Sequence, residues 1–264
     1  MKETTERHCP EQVRSVEELI IHLMHLYAYS LVRTYANPGD KVLEVGFGEG
    51  YGSGIVRDWV REYHGVDVSA EAVAHAASKY ADPHVAFHHY AGRALPFAEN
   101  EFDLVISFQV IEHVADVPAY LREIRRVSRR GATLLIVTPN RNHRLEENER
   151  PWNRYHVREF SPQELQGMLE QEFAEVELYG IHGSPFIDEV EKARVKRARR
   201  LAHLDPLGLR YRLPEDLDTR LRGLLKRRVK SASAPDLPVL TLSDFQHSKQ
   251  DIESSLDLLA VGRA

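Results

Sequence analysis

Cysteine occurs once in the 264 residues, as Cys9. That excludes an internal disulfide and leaves no thiolate set for a metal cluster. Nothing beside Cys9 would lower its thiol pKa, so a catalytic nucleophile is not expected there. Long apolar runs are also missing: none approaches the roughly 20 residues that cross a bilayer, and the opening MKETTERHCPEQ has no apolar core of the export-signal kind. No membrane span and a cytoplasmic location are the expectations. Net charge is modest at −5, but unevenly spread. Residues 191–230 hold fourteen Lys and Arg against five acids, so the remainder is strongly acidic.

What is present has the rhythm of a layered α/β domain. Val16, Leu19, Ile20, Leu23, Tyr27 and Leu31 recur at helical spacing, with Ser15 and Glu18 as a capping box, and Asn37-Pro38-Gly39-Asp40 stops that helix. The stretch 41–45 (KVLEV) is short and β-branched; it leads through VGFGEGYGSG into a helix expected to reach about Arg61. Further strands are read at 62–69, 84–90, 101–108, after Gly131, at 173–181 and at the C-terminus. Helices are read from Ser69, from Asp116 to a stop at Gly131, and from the start signal Ser161-Pro162-Gln163-Glu164. Strands alternating with helices in this way predict a mainly parallel sheet covered on both faces, with ligands at the carboxyl ends of the strands.

Five glycines stand between 46 and 54 directly after the first strand. Such a turn lets backbone pass close to a cofactor, and by itself it does not say which one. No GKS or GKT follows, which excludes a phosphate loop. A dinucleotide would bring a pyrophosphate that Glu49 repels, whereas a sulfonium amino acid tolerates acids beside the glycines. Asp67, ending the second strand, can accept both ribose hydroxyls in either case.

The ordered blocks VLEVGFGEG, GVDVS, ALPFAENEFDLVISFQVIEHV and RRGATLLIVTPN, covering about 40–140, resemble the class I S-adenosylmethionine-dependent methyltransferases. EHV, TPN, the later YHVREFSPQEL and an N-terminal helix of the HLMHLYAYS type are similar to enzymes that act on bacterial small molecules, glycans or lipid-linked intermediates. The resemblance implies a Rossmann-like α/β fold of seven strands, mostly parallel, in the order 3-2-1-4-5-7-6, with a helical insertion between strands six and seven. It divides the chain into a cofactor-binding domain, 1–182 plus 254–264, and a basic insertion, 183–253. S-adenosyl-L-methionine is the implied cofactor. Gly46, Gly48 and Gly50 are implied to approach its methionine and adenosyl parts, Asp67 to hold the ribose, Val68 to pack on adenine, Glu44 to orient the loop or receive the ammonium, and Gln109 to reach the methionine end. Where relatives often carry an adenine-binding Asp, this chain has Ala91-Gly92-Arg93, so backbone at Gly92 or stacking by Arg93 is the expectation. Gly52 and Gly54 are read as close packing of the following helix on its strand.

Methyl transfer from a sulfonium needs positioning more than acid–base help. A hydroxyl acceptor must still lose a proton, and histidine is the natural base near neutral pH. His113 and His156 are the candidates; against them stand a turn-ordering role for His113 and a local hydrogen bond for His156. His84, His88 and His89 are not read as a metal site, since neighbours on a strand face opposite ways. Tyr27 either closes over the cofactor or packs in the core. In the insertion, Val190, Val195, Leu201 and Leu204 form an apolar stripe, and its basic residues suit a lid over a small-molecule or glycan-type acceptor, an acidic one included. An RNA platform is the alternative. It is weakened by Tyr211 being the only aromatic in 191–230. A non-catalytic binding member of the fold and a homodimer remain open.

Overall fold

The computed structural model describes residues 13–147, 149–203 and 238–264. Cys9, Leu204 and the linker-like 231–237 lie outside the described residues. Helix α1 (Val16–Tyr35) starts where Ser15 accepts the Glu18 amide at 3.2 Å. The reciprocal half of the expected capping box is absent, because the Glu18 carboxylate accepts the Arg14 amide instead. There follow β1 (Lys41–Val45), α2 (Ser53–Val56), β2 (Glu62–Asp67), α3 (Ala70–Tyr80), β3 (Val85–His89), β4 (Phe102–Phe108), α4 (Val117–Val127), β5 (Ser128–Pro139) and α5 (Arg141–Arg144). The chain continues through α6 (Pro162–Leu169), β6 (Ala174–Gly183), α7 (Pro185–His203), β7 (Phe245–Ser248) and β8 (Asp257–Arg263).

The strands form one sheet in the order β3-β2-β1-β4-β5-β8-β6-β7. Strands β1 to β5 run parallel, while β8 pairs antiparallel with both β5 and β6. This is the expected order with one strand more. The eighth strand, β7, lies at the edge inside the segment expected to be a purely helical insertion. It pairs antiparallel with β6.

Burial follows the alternation of the strands. Leu43, Val45, Val105, Leu134 and Ile136 belong to a core completed by Leu121, Ile124, Leu165 and Leu169 of α4 and α6. Val42, Leu104, Ile106, Leu135 and Val137 face the other way, against Ile20, Leu23, Leu31 and Val32 of α1 and Ile187 of α7. Each such fully buried aliphatic contributes roughly 1.5–3 kcal/mol, which fixes α1 across the sheet.

Two boundaries differ from expectation. α2 ends at Val56 and decays into a 3-10 turn to Trp59; Gly54 within it costs the short helix about 1 kcal/mol, while Gly52 is its N-cap. α4 ends at Val127 rather than near Gly131: Ser128 is already extended and folds its hydroxyl back to Ile124 O (2.7 Å). Gly131 does take a left-handed φ of 80°, but within an irregular start of β5. In α7 the apolar stripe is partial, since Val190 and Val195 pack inward whereas Leu201 is exposed. Among the described residues no helix is long and apolar enough to cross a membrane.

Candidate functional site

At Gly46, Gly50 and Gly52 of the glycine turn after β1, neighbouring atoms leave no room for a side chain. Gly46 has φ 82°, and a Cβ there would stand 2.5 Å from Val110 Cγ2. The Gly48 amide donates to Asp67 Oδ2 at 3.0 Å, while Asp67 Oδ1 accepts the Ser69 amide at 2.9 Å. One carboxylate thus joins the turn to the start of α3. At Gly52 a Cβ would fall 2.2 Å from the ring of Tyr29, so the glycine admits α1 rather than packing on the sheet. Gly54 meets nothing within 4 Å.

Tyr29 reaches below the turn. Its hydroxyl donates to Glu44 Oε1 at 2.6 Å, and Tyr63 donates to the other oxygen. Burial pushes the Glu44 carboxyl up to about 7, although both tyrosine hydrogen bonds pull it down.

Above the turn lies a cavity of about 360 Å³ at the carboxyl ends of β1, β4 and β5, within the range of small-ligand sites. It is lined by Gly46, Phe47, Gly48 and Glu49 of the turn and by Ile21, Met24, His25 and Tyr29 of α1. The far wall is built from the end of β4, the segment after β5, and α7. Gln109, with φ 56°, donates from Nε2 to Asp257 Oδ2 at 2.7 Å. Burial raises the Asp257 carboxyl to about 6, against the pull of Arg144 and of that hydrogen bond.

The turn Ile111–His113 carries Glu112, fully buried, whose Oε2 accepts the Thr138 hydroxyl at 2.9 Å. His113 Nδ1 bonds the Tyr155 carbonyl at 3.0 Å, and His156 Nδ1 bonds Glu159 Oε1 at 2.7 Å. A carbonyl or carboxylate can only accept, so Nδ1 of each neutral ring carries the proton and Nε2 the lone pair. The two rings meet edge to face with centroids 5.0 Å apart. Glu159 is buried, yet Arg144 at 3.1 Å and His156 hold its carboxyl below the usual range. The Arg144 and Arg194 guanidinium groups lie 4.2 and 5.4 Å from the ring centre of Trp152, and Arg194 is bidentate to Glu191 at 2.9 and 2.5 Å.

A methyltransferase-domain family profile matches residues 43–136, which span β1 to β5. A Mycolicibacterium smegmatis protein named probable S-adenosylmethionine-dependent methyltransferase is 36% identical over 238 residues, 84% of this chain and 81% of that protein. The chain belongs to the S-adenosylmethionine-dependent methyltransferases. A Mycobacterium tuberculosis protein of the same designation is 31% identical over 83% of this chain and 75% of its own length. Among solved structures, Bacillus subtilis YcgJ superposes with a TM-score of 0.54 at 19% identity, covering 90% of this chain and 98% of that one. The enzyme's cofactor is S-adenosyl-L-methionine.

Of the residues singled out by sequence, Gly46, Gly48, Gln109, His113 and His156 line this cavity. Glu44 lies beneath it, and Gly50 (φ 78°) closes against Ala76 and Phe87. Asp67 sits behind the turn; Val68 is half-buried against the α4-side core, and His89 bonds its carbonyl at 3.1 Å. Gly92 has φ 73° and Arg93 is exposed, both away from the cavity wall. Tyr27 packs in the core: its hydroxyl bonds His247 Nδ1 at 2.9 Å, its ring meets Phe245, and it tethers α1 to β7. The tyrosine of α1 that faces the cavity is Tyr29, two residues on. His88 stacks on His64 at 5.3 Å rather than joining His84.

Sequence reasoning missed Glu112, Arg144, Trp152, Glu191, Arg194 and Asp257. A signal for Asp257 existed, as the one charge inside the apolar run SSLDLLAV. Arg194 looked like any other cation of a basic helix.

Proposed function

We propose that the enzyme methylates an oxygen of a small-molecule or glycan-type acceptor held at the far wall of the cavity. The cofactor's methionine end lies along Gly46 and Gly48 and reaches Gln109, with Asp67 taking the ribose hydroxyls. The observation that carries this reading is the imidazole pair, His113 and His156, each fastened through Nδ1 so that the lone pair on Nε2 can activate a hydroxyl. The acceptor oxygen gives up its proton and bonds the methyl carbon, while the carbon–sulfur electrons remain on sulfur. The cavity volume must be shared with the cofactor, which favours a compact acceptor or the end of a longer one. Arg144 and Arg194 each face a carboxylate, so that wall offers little net attraction for an anion and favours a polar, uncharged acceptor.

The test combines a crystal structure with bound S-adenosylhomocysteine and labelled-methyl transfer to hydroxylated small molecules, glycans and tRNA. The sulfur is expected to face His113 and His156. Alanine at either position should lower turnover by about 10²–10⁴-fold at saturating cofactor with cofactor affinity unchanged. Full turnover in both variants, or transfer to tRNA alone, would overturn the assignment.

A further inference from the structure

The same wall contains a donor set that methyl transfer does not by itself require. Glu112, His113 and His156 each offer one ligand atom, and these atoms lie within 4.8 Å of one another. Glu112 and His113 are neighbours in the chain and His156 comes from a segment more than forty residues on, yet the three are built as a unit. The Val157 and Arg158 amides both donate to the Glu112 carbonyl, at 2.8 and 3.2 Å, and His113 Nδ1 donates to the carbonyl of Tyr155, next to His156. Each imidazole has its Nδ1 engaged by an outer acceptor, a carbonyl for His113 and the Glu159 carboxylate for His156. Imidazoles that ligate metals almost always carry such a partner on the second nitrogen, which fixes the ring and raises its basicity. Arg144 in turn fixes Glu159.

Two imidazoles and one carboxylate, with further positions facing a cavity, suit first-row divalent metals. Calcium and magnesium prefer all-oxygen sets. We propose that Glu112, His113 and His156 bind one first-row divalent cation through a carboxylate oxygen and the two Nε2 atoms, with its open coordination positions facing the acceptor space. Bonds of about 2.0–2.2 Å draw the three donors together by roughly an ångström, a side-chain movement. The catalytic use of the cation rests on the acceptor reading above. Without the cation the two Nε2 lone pairs are the bases of that reading; with it bound they would be its ligands. The cation would then acidify a coordinated acceptor hydroxyl, whose proton would pass to solvent as the oxygen bonds the methyl carbon and the carbon–sulfur electrons stay on sulfur. Cation binding itself is independent of that reading.

Cobalt(II) chloride titrated into the full-length, chelator-treated protein tests the site by calorimetry and by visible absorption. One cobalt per chain is expected, with an affinity that falls at least tenfold in His156→Gln and about 10–100-fold in Glu159→Gln, the outer partner. Both variants should keep their affinity for S-adenosylhomocysteine, which shows that they are folded. In the unsubstituted protein, proton NMR of the cobalt form should show two exchangeable imidazole signals shifted by the metal, a readout that needs no variant. Absence of saturable binding, or binding unaltered in the His113→Ala/His156→Gln double variant, overturns the proposal. Saturable cobalt binding that is lost in the double variant, with no methyl transfer to any hydroxylated acceptor by the metal-loaded unsubstituted enzyme, would sink the acceptor reading and leave the metal site standing.

Discussion

Glu44→Gln tests how the carboxylate beneath the glycine turn is held. In the folded protein burial raises the Glu44 carboxyl from 4.5 to about 7. The folded state therefore binds this proton more tightly than the unfolded chain. Stability from the group is fully present below pH 4.5 and is lost as pH rises through 7. A tenfold difference in proton affinity between the two states corresponds to about 1.36 kcal/mol, so the ionised side chain costs the fold about 3 kcal/mol at pH 8 relative to pH 4. Glutamine keeps the shape and carries no charge. Urea unfolding of both proteins from pH 4.5 to 8.5 should therefore show the variant gaining about 3 kcal/mol relative to the unsubstituted chain, with most of the gain between pH 5 and 7. Asp257 titrates in the same range but is common to both proteins and cancels. Parallel stability curves would refute the reasoning, because Glu44 would then be equally content ionised between Tyr29 and Tyr63.

Gly46→Ala combines a left-handed φ, costing about 1–2 kcal/mol, with overpacking against Val110, costing about 1–3 kcal/mol. Its urea midpoint should fall by the equivalent of roughly 2–5 kcal/mol, and an unchanged midpoint contradicts the geometry. Tyr27→Phe removes the bond to His247 and should cost about 0.5–1.5 kcal/mol of stability without changing cofactor affinity; a large loss of affinity measured by calorimetry would return Tyr27 to the cofactor site. Asp67→Ala frees the Gly48 and Ser69 amides and removes the proposed ribose acceptor. S-adenosylmethionine affinity should drop about 10–100-fold, as for charge-assisted hydrogen bonds worth about 1.5–3 kcal/mol, and an unchanged Kd in calorimetry removes Asp67 from the site.

The parts of the fold written in local chemistry were readable. Ser161-Pro162-Gln163-Glu164 forms the full capping box its sequence announces, and the buried strands β1, β4 and β5 show themselves as short β-branched runs. The edge strand β7 did not: FQHS is four residues long, mixed in polarity, and extended only because β6 offers it a partner. Gly52 was assigned the wrong neighbour, and the left-handed Gly131 the wrong element, since a glycine advertises a close approach or a positive φ but not what stands beside it. In the cavity, the glycine turn, Gln109, His113 and His156 follow the chain order of one α/β unit after another. Asp257, Glu191 and Arg194 arrive from distant segments, and no spacing rule connects them to position 109 or 152. Tyr27 against Tyr29 shows the limit on a helix: both are buried, and only the crossing angle of α1 over the turn decides which one meets the ligand space.

The placement of β8 has a bearing on how the enzyme comes into being. In the sheet, β6 and β7 are connected to β1 through β5 only by way of β8. During synthesis the glycine turn and its five parallel strands can assemble while the chain is still emerging. The wall carrying Glu191, Arg194 and Asp257 cannot lock until residues 257–263 slide between two waiting edges. The turn proposed for the cofactor and the wall proposed for the acceptor thus close at different times of assembly. A nascent chain paused before β8 would present a formed cofactor turn beside two unsatisfied strand edges, the state in which chaperone protection matters most.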